Sequence, residues 1–178
     1  LIKDNKMWLG YSIHSGDREF QVPDEYPLTA AGWRIDDNGR KFIRVKGVRW
    51  FTNIDHGRRH EPLPLMTMAD NLRFSKHKEL KGKTAYDRYD NYDAIEVPFT
   101  DAIPSDYDGV MGVPISFLDK YCPEQFEILG ISLELGIKKP DNLPKEKQGG
   151  PAFYIKMGTD YNRMYCRLAI RRKLTIDN

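Results

Sequence analysis

Gly47-Val48-Arg49-Trp50-Phe51-Thr52-Asn53 joins two adjacent aromatic rings to an arginine and an amide in a run of β-forming residues. Proteins that work on a nucleobase draw it from the stack and hold its flat face against aromatic or apolar side chains. Trp50 or Phe51 could hold such a face, with Asn53 or Arg49 reaching a polar edge or a phosphate. An ordinary core strand ending in a polar loop has the same composition, so the residues alone leave both readings open.

A second constellation is cationic. Arg163, Arg167, Arg171, Arg172 and Lys173 are interleaved with Tyr161 and Tyr165. Strand alternation sets Arg167 and Arg171 on one face, with Cys166, Leu168 and Ile170 on the other. Cations among aromatics suit phosphate contact and stacking; an exposed strand face kept soluble by charge is the alternative. Arg18, in the polar loop His14–Glu19, and Arg58 and Arg59, in the basic loop His56–His60, are further candidates for phosphate contact or simple solvation.

Other chemistries fail on spacing. His14, Ser15 and Asp17 crowd one loop, whereas nucleophilic triads are assembled from separate segments. His56 and His60 stand four apart, but Gly57 weakens a helix there and no catalytic Glu or nearby Cys completes a zinc site. Asp106-Tyr107-Asp108-Gly109 lacks the glycine and glutamate positions of a calcium loop. Glu79-Leu80-Lys81 is half of a nuclease metal motif without the preceding Asp or a strand to carry it. Gly109 and Gly112 lack the third glycine and the helix of a dinucleotide loop. No two prolines are adjacent, so an Asn/Asp-Pro-Pro-aromatic tetrapeptide is absent.

The elements that must position these residues are mostly strands. Lys6–Ile13 alternates as a strand. Trp33–Ile35 and Phe42–Lys46 flank Asp36-Asp37-Asn38-Gly39 as a hairpin, and Val48–Ile54 continues as a strand. Residues 57 to 83 are basic and broken by Pro62, Pro64 and Gly82, which predicts a mobile connector. Beyond it, Ala94–Val97, Phe126–Leu133, Ala152–Lys156 and Tyr165–Arg171 read as strands. Pro114 suits the first position of a helix through Tyr121. The expected class is mixed α/β and strand-rich, divided into 1–56, a basic connector 57–83, and 84–178.

At 178 residues, 40% hydrophobic with ten Tyr, eight Phe and three Trp, the chain can bury a core. It has no apolar run of membrane-spanning length, and its first residues lack the apolar core of a signal peptide. Two cysteines without metal spacing predict a reducing, cytoplasmic setting and no metal. A start on Leu1-Ile2-Lys3-Asp4 reads as the last turn of a helix begun elsewhere, so a longer parent protein is expected. The formal charge of +2 hides segregation: 13 Lys and Arg against 6 Asp and Glu in 34–83, 2 against 11 in 84–134, and 10 against 4 in 138–178. Basic surface favours a polyanion such as nucleic acid. An acidic block meeting a basic protein partner, without nucleic acid, is the alternative; a metal nuclease has little in the motifs to support it.

Several long strings then carry a resemblance. They are Asn5–Phe20 (NKMWLGYSIHSGDREF), Val45–Asn53 (VKGVRWFTN), Tyr89–Ile95 (YDNYDAI), Asp106–Tyr121 (DYDGVMGVPISFLDKY), Pro123–Gly130 (PEQFEILG) and Arg171-Arg172-Lys173. In order, and over nearly the whole chain, they resemble the EcoRI-type adenine-specific DNA methyltransferases. That resemblance implies transfer of a methyl group from S-adenosylmethionine to N6 of a flipped adenine in double-stranded DNA, in a bacterial restriction-modification setting. The family's donor-binding glycine motif and Asn-Pro-Pro-Phe motif lie upstream of the matched region and are absent here. The resemblance therefore implies a C-terminal part, inactive alone, that works with a missing N-terminal part. Its fold would be the last strands of a Rossmann-like methyltransferase sheet over 1–56 and an α+β DNA-recognition region after the connector. Trp50, Phe51 and Asn53 would border the flipped base, with Phe51 stacking. Arg18, Arg49, Arg58, Arg59, Arg163, Arg167, Arg171, Arg172 and Lys173 would contact DNA.

Overall fold

A computed structural model describes residues 1–11, 17–29, 31–144 and 149–173. They form two compact units, Leu1–Asp55 and His56–Asn178.

The first unit is built from two small antiparallel sheets. Strand β1 (Met7–Tyr11) pairs with β5 (Val48–Thr52), setting Leu9 opposite Trp50 and Trp8 opposite Phe51. The second sheet has the order β2–β4–β3, from β2 (Asp17–Val22), β3 (Arg34–Ile35) and β4 (Lys41–Lys46). The predicted β3–β4 hairpin is present. Asp36 Oδ1 accepts from the backbone N–H groups of Asn38 (3.0 Å) and Arg40 (2.8 Å), an Asx-type turn that the left-handed Gly39 closes. Gly47, at φ +67°, lets the chain leave β4 and enter β5 in the other sheet. Strand β2 corrects the expectation of a loop there. Its Glu19 and the Arg34 of β3 form a two-pronged pair at 2.8 and 2.6 Å, and Arg34 lies over the Phe42 ring at 4.2 Å. That pair holds the Glu19 carboxyl below its ordinary range. Among the described residues of this unit, only Val48 is buried.

The second unit holds the core. Its four-stranded sheet runs β6 (Ile95–Glu96), β7 (Met111–Pro114), β11 (Arg167–Arg172), β8 (Phe126–Ile131); β6 and β7 are parallel and the other pairs antiparallel. A hairpin of β9 (Tyr154–Met157) and β10 (Asp160–Arg163) turns at the left-handed Gly158. Leu168 and Ile170 of β11 enter one apolar cluster with Ile95, Val113, Phe117 and Phe126. Ala169 faces a second cluster with Tyr89, Ala94, Ile137 and Phe153. This central strand is therefore covered on both sides, as interior strands of a sheet can be.

The stretch expected as a mobile connector is packed into this unit. Its Thr67 hydroxyl accepts from the Asp70 N–H at 3.1 Å and caps α1 (Met68–Phe74). Leu80 is buried in the core, and Leu63, Leu65, Met68 and Leu72 pack against it. The helix expected after Pro114 is a 3-10 helix, Ile115–Lys120, with Pro114 at its N-cap and Phe117 buried. The result is mixed and strand-rich, as expected. Among the described residues no helix is long and apolar enough to cross a membrane.

Candidate nucleic-acid interface

Register decides which residues of the aromatic segment can act together. Residues opposite each other in an antiparallel pair share a face. Trp8, Gly10, Arg49 and Phe51 therefore lie on one side of the β1–β5 ribbon; Leu9, Tyr11, Val48 and Trp50 lie on the other. On the first side Trp8 and Phe51 stack with centroids 6.3 Å apart and planes 15° from parallel. Gly10 leaves room for this stack, since a Cβ would stand 3.0 Å from the Phe51 ring and press it aside by a few tenths of an ångström. On the other side Trp50 meets Phe20 edge-on at 6.0 Å.

Trp50 and Phe51, expected together beside one base, lie on opposite faces of the ribbon. A period of two puts neighbouring side chains on opposite faces, so one base can stack on only one of these rings. Phe51, 37% exposed, has Arg49 and Trp8 on its face; Trp50 is 40% exposed. Asn53 follows the strand. Its side-chain N–H donates to the Asn5 carbonyl at 3.2 Å, and its backbone N–H to that of Lys6 at 3.3 Å. The Thr52 hydroxyl donates to the same Lys6 carbonyl at 2.6 Å, which fixes the end of the ribbon.

The cationic candidates divide between the two units. In the first unit Arg18 lies on β2 and donates to the Asp17 carbonyl at 2.9 Å. In the second, Arg58 and Arg59 occupy the 3-10 turn Gly57–His60. Arg163 is exposed on β10 and Arg171 on β11, opposite Glu127. Lys173 is exposed, and its backbone N–H donates to the Gln125 carbonyl. Arg172 turns inward: it donates to the Ser105 carbonyl and lies 3.9 Å from Asp108. His14, Ser15 and Gly16 of the loop before Arg18 lie outside the described residues.

Arg167 departs most from expectation. It is not on an exposed face, because the second apolar cluster covers that side of β11. Its guanidinium bonds to both carboxylate oxygens of the buried Glu96, at 2.7 to 3.1 Å, and its side chain keeps only 14% of its exposure. The Tyr89 hydroxyl donates to the same carboxylate. Burial first, then the Glu96 charge and hydrogen bond, push the Tyr89 hydroxyl well above its ordinary range. For Arg167, burial works against the charge, but Glu96 outweighs it and strengthens the cationic form. The reading from residues missed Glu96. The available signal was a lone carboxylate inside the apolar run Ala94-Ile95-Glu96-Val97, which demands a cation when buried.

Two further polar clusters went unread. His77 stacks on Phe99 at 3.6 Å and reaches Asp101 at 3.0 Å. His60 meets Glu124 at 2.6 Å, beside Cys122; the bond to His60, then that from Cys122, draws the Glu124 carboxyl below its usual range. Among the described residues no three His, Cys, Asp or Glu side chains converge as metal ligands. Nor do the described residues fit an S-adenosylmethionine cradle. The α-helix among them, seven-residue α1, is entered from the Met66–Thr67 stretch with no glycine-rich turn before it.

Over residues 1–173 the chain matches the family described as adenine-specific methyltransferase EcoRI. It is 44% identical over 141 residues to the Type II methyltransferase M.EcoRI of Escherichia coli, covering 79% of this chain and 40% of that protein. A Type II methyltransferase of Mycoplasma genitalium is 36% identical over 71% of this chain and 37% of its own length. M.MpnI of Mycoplasma pneumoniae is 33% identical over 72% and 38%. The chain thus spans about 40% of the length of the relatives it matches. No solved structure matches it.

Proposed function

Because this chain belongs to the family of adenine-specific methyltransferases typified by EcoRI, we propose that it is the DNA-gripping, base-bordering part of a bacterial N6-adenine methyltransferase of a restriction-modification system. In this reading S-adenosylmethionine and the transfer chemistry are held by residues outside this sequence, and the chain alone does not methylate. Residues 1–56 would supply the last strands of a Rossmann-like sheet, and 84–178 the region that reads the DNA. The setting would be cytoplasmic.

The observation that carries the reading is the Trp8–Phe51 face of the β1–β5 ribbon. Aromatic rings left half-exposed on a strand, with Arg49 on the same side, can take the flat face of a displaced base while a cation meets its phosphate. Phe51 is the stacking ring we assign; Trp50, on the opposite face, supports the ribbon from behind. Exposed Arg58, Arg163, Arg171 and Lys173 add charge suited to the duplex backbone, whereas Arg167 and Arg172 are committed to protein partners. A purely protein-binding role for the acidic block has less to recommend it. Glu96, Asp87, Asp93, Asp101 and Glu124 are paired within the chain.

The test is duplex binding by fluorescence anisotropy across a salt series. Affinity should fall linearly on logarithmic axes as salt rises, because each neutralised phosphate releases counterions. Arg171→Ala should weaken binding evenly across sequences and reduce the slope by about one. An affinity indifferent to salt, or no binding to duplex at all, would overturn the proposal.

A further inference from the structure

The second unit contains a cleft of about 480 Å³, within the range of small-ligand sites. The turn 78–83 forms one wall, the β9–β10 hairpin the other, and Glu96 of β6 contributes to the floor. Its apolar lining is Leu80, Pro98, Ile155, Met157 and Met164. Thioethers are polarisable and make favourable contacts with aromatic rings. Met157 is 63% exposed, so its thioether is accessible from solvent.

The polar groups narrow the occupant. Glu96 carries a negative charge, but Arg167 and Tyr89 already occupy its oxygens, so the floor offers no unpaired carboxylate to a cationic ligand. Lys83 is likewise paired with Asp87. Lys78 and Lys156 remain at the rim, exposed, together with Glu79. Asn162 lies opposite Ile155 across the hairpin and faces the cleft with it. A neutral, flat, polarisable ring between apolar walls, with anionic attachments toward the rim, is the chemistry this arrangement accepts. Asn162 offers both a donor and an acceptor, the pair that matches the N6 and N7 edge of adenine.

We propose that this cleft takes an unstacked nucleobase of bound DNA, its neighbouring phosphates held by Lys78 and Lys156, at a place separate from the Phe51 face. This rests on the DNA-binding reading above and adds a second base-holding site to it. Binding a base here would stabilise DNA in which one nucleotide has left the stack, and so favour duplexes that open at low cost.

The experiment uses the 178-residue chain and two duplexes of one sequence, fully paired or carrying a single unpaired adenine. The unpaired form should bind about tenfold more tightly, in line with one well-placed bidentate contact. The methyl resonances of Met157 and Met164 should shift under the ring current of the base, while that of Met66, which does not line the cleft, stays in place. Asn162→Ala, at an exposed hairpin position, should abolish the tenfold preference and leave affinity for the paired duplex unchanged. Equal binding of the two duplexes with Met157 and Met164 unmoved would overturn the cleft assignment and leave the DNA-binding reading standing. Failure to bind either duplex would overturn both.

Discussion

At Glu96 the chain places a carboxylate between Ile95 and Val97, both buried, and then brings Arg167 from 71 residues later to meet it. Removing one member of a buried pair leaves the other charged, desolvated and unmatched, which costs far more than the pair itself contributes. Arg167→Met should therefore lower stability by about 3 kcal/mol in urea denaturation. Adding Glu96→Gln should restore a large part of that loss, because the unmatched charge is then gone. Its effect on DNA binding should be small once the protein is folded. If Arg167→Met instead changed stability by only about 0.5 kcal/mol, the range of ordinary surface changes, while flattening the salt slope of duplex binding, Arg167 would be a phosphate contact after all. Glu96 alone in an apolar run signalled the need for a cation; which of several arginines would answer it could not be read from spacing.

Among the elements, β7 depends on having no side chain at one position. A Cβ on Gly112 would fall 2.0 Å from the Tyr89 hydroxyl oxygen and 2.7 Å from its ring. That ring is buried, stacks on Phe153 at 4.6 Å and donates to Glu96, so it has no free direction in which to yield. Gly112→Ala should cost about 2 to 3 kcal/mol, as overpacking a tight core does, and lower the thermal midpoint accordingly. A loss under about 0.5 kcal/mol would mean that β7 and Tyr89 can separate without consequence. This dependence also explains which elements were legible. Strands β1, β4, β5 and β8 announce themselves through alternation and β-forming residues. Strand β7 carries Gly112 and Pro114, both poor strand formers, and exists because its neighbours β6 and β11 pair with it. Helix α1 was hidden by its basic surroundings, although Thr67 followed three residues later by Asp70 is a start signal of the capping type. Strand β2 lay behind a polar loop, and its partner β4 is some two dozen residues away in sequence.

For the whole molecule, the candidate site was legible as a segment but not as a surface. Residues 47–53 could be named from aromatic content, yet only the pairing with β1 separates Phe51 from Trp50 and adds Trp8 to the face. The same pairing bears on stability. The unit Leu1–Asp55 buries one described residue, Val48, and holds a two-stranded and a three-stranded sheet. Small sheets with so little enclosed apolar surface are marginal alone. The unit His56–Asn178 encloses two apolar clusters around a covered central strand. Denaturation should therefore not be a single cooperative step. The aromatic residues supply separate reporters: Trp8, Trp33 and Trp50 all lie in the first unit, and eight of the ten tyrosines lie in the second. Tryptophan fluorescence should lose its folded signal at a lower urea concentration than near-ultraviolet tyrosine dichroism. Adding duplex DNA should move the tryptophan midpoint upward, since a ligand that binds only the folded Phe51 face stabilises it by mass action. Coincident midpoints for the two probes, unmoved by DNA, would show that the first unit needs no partner to complete it.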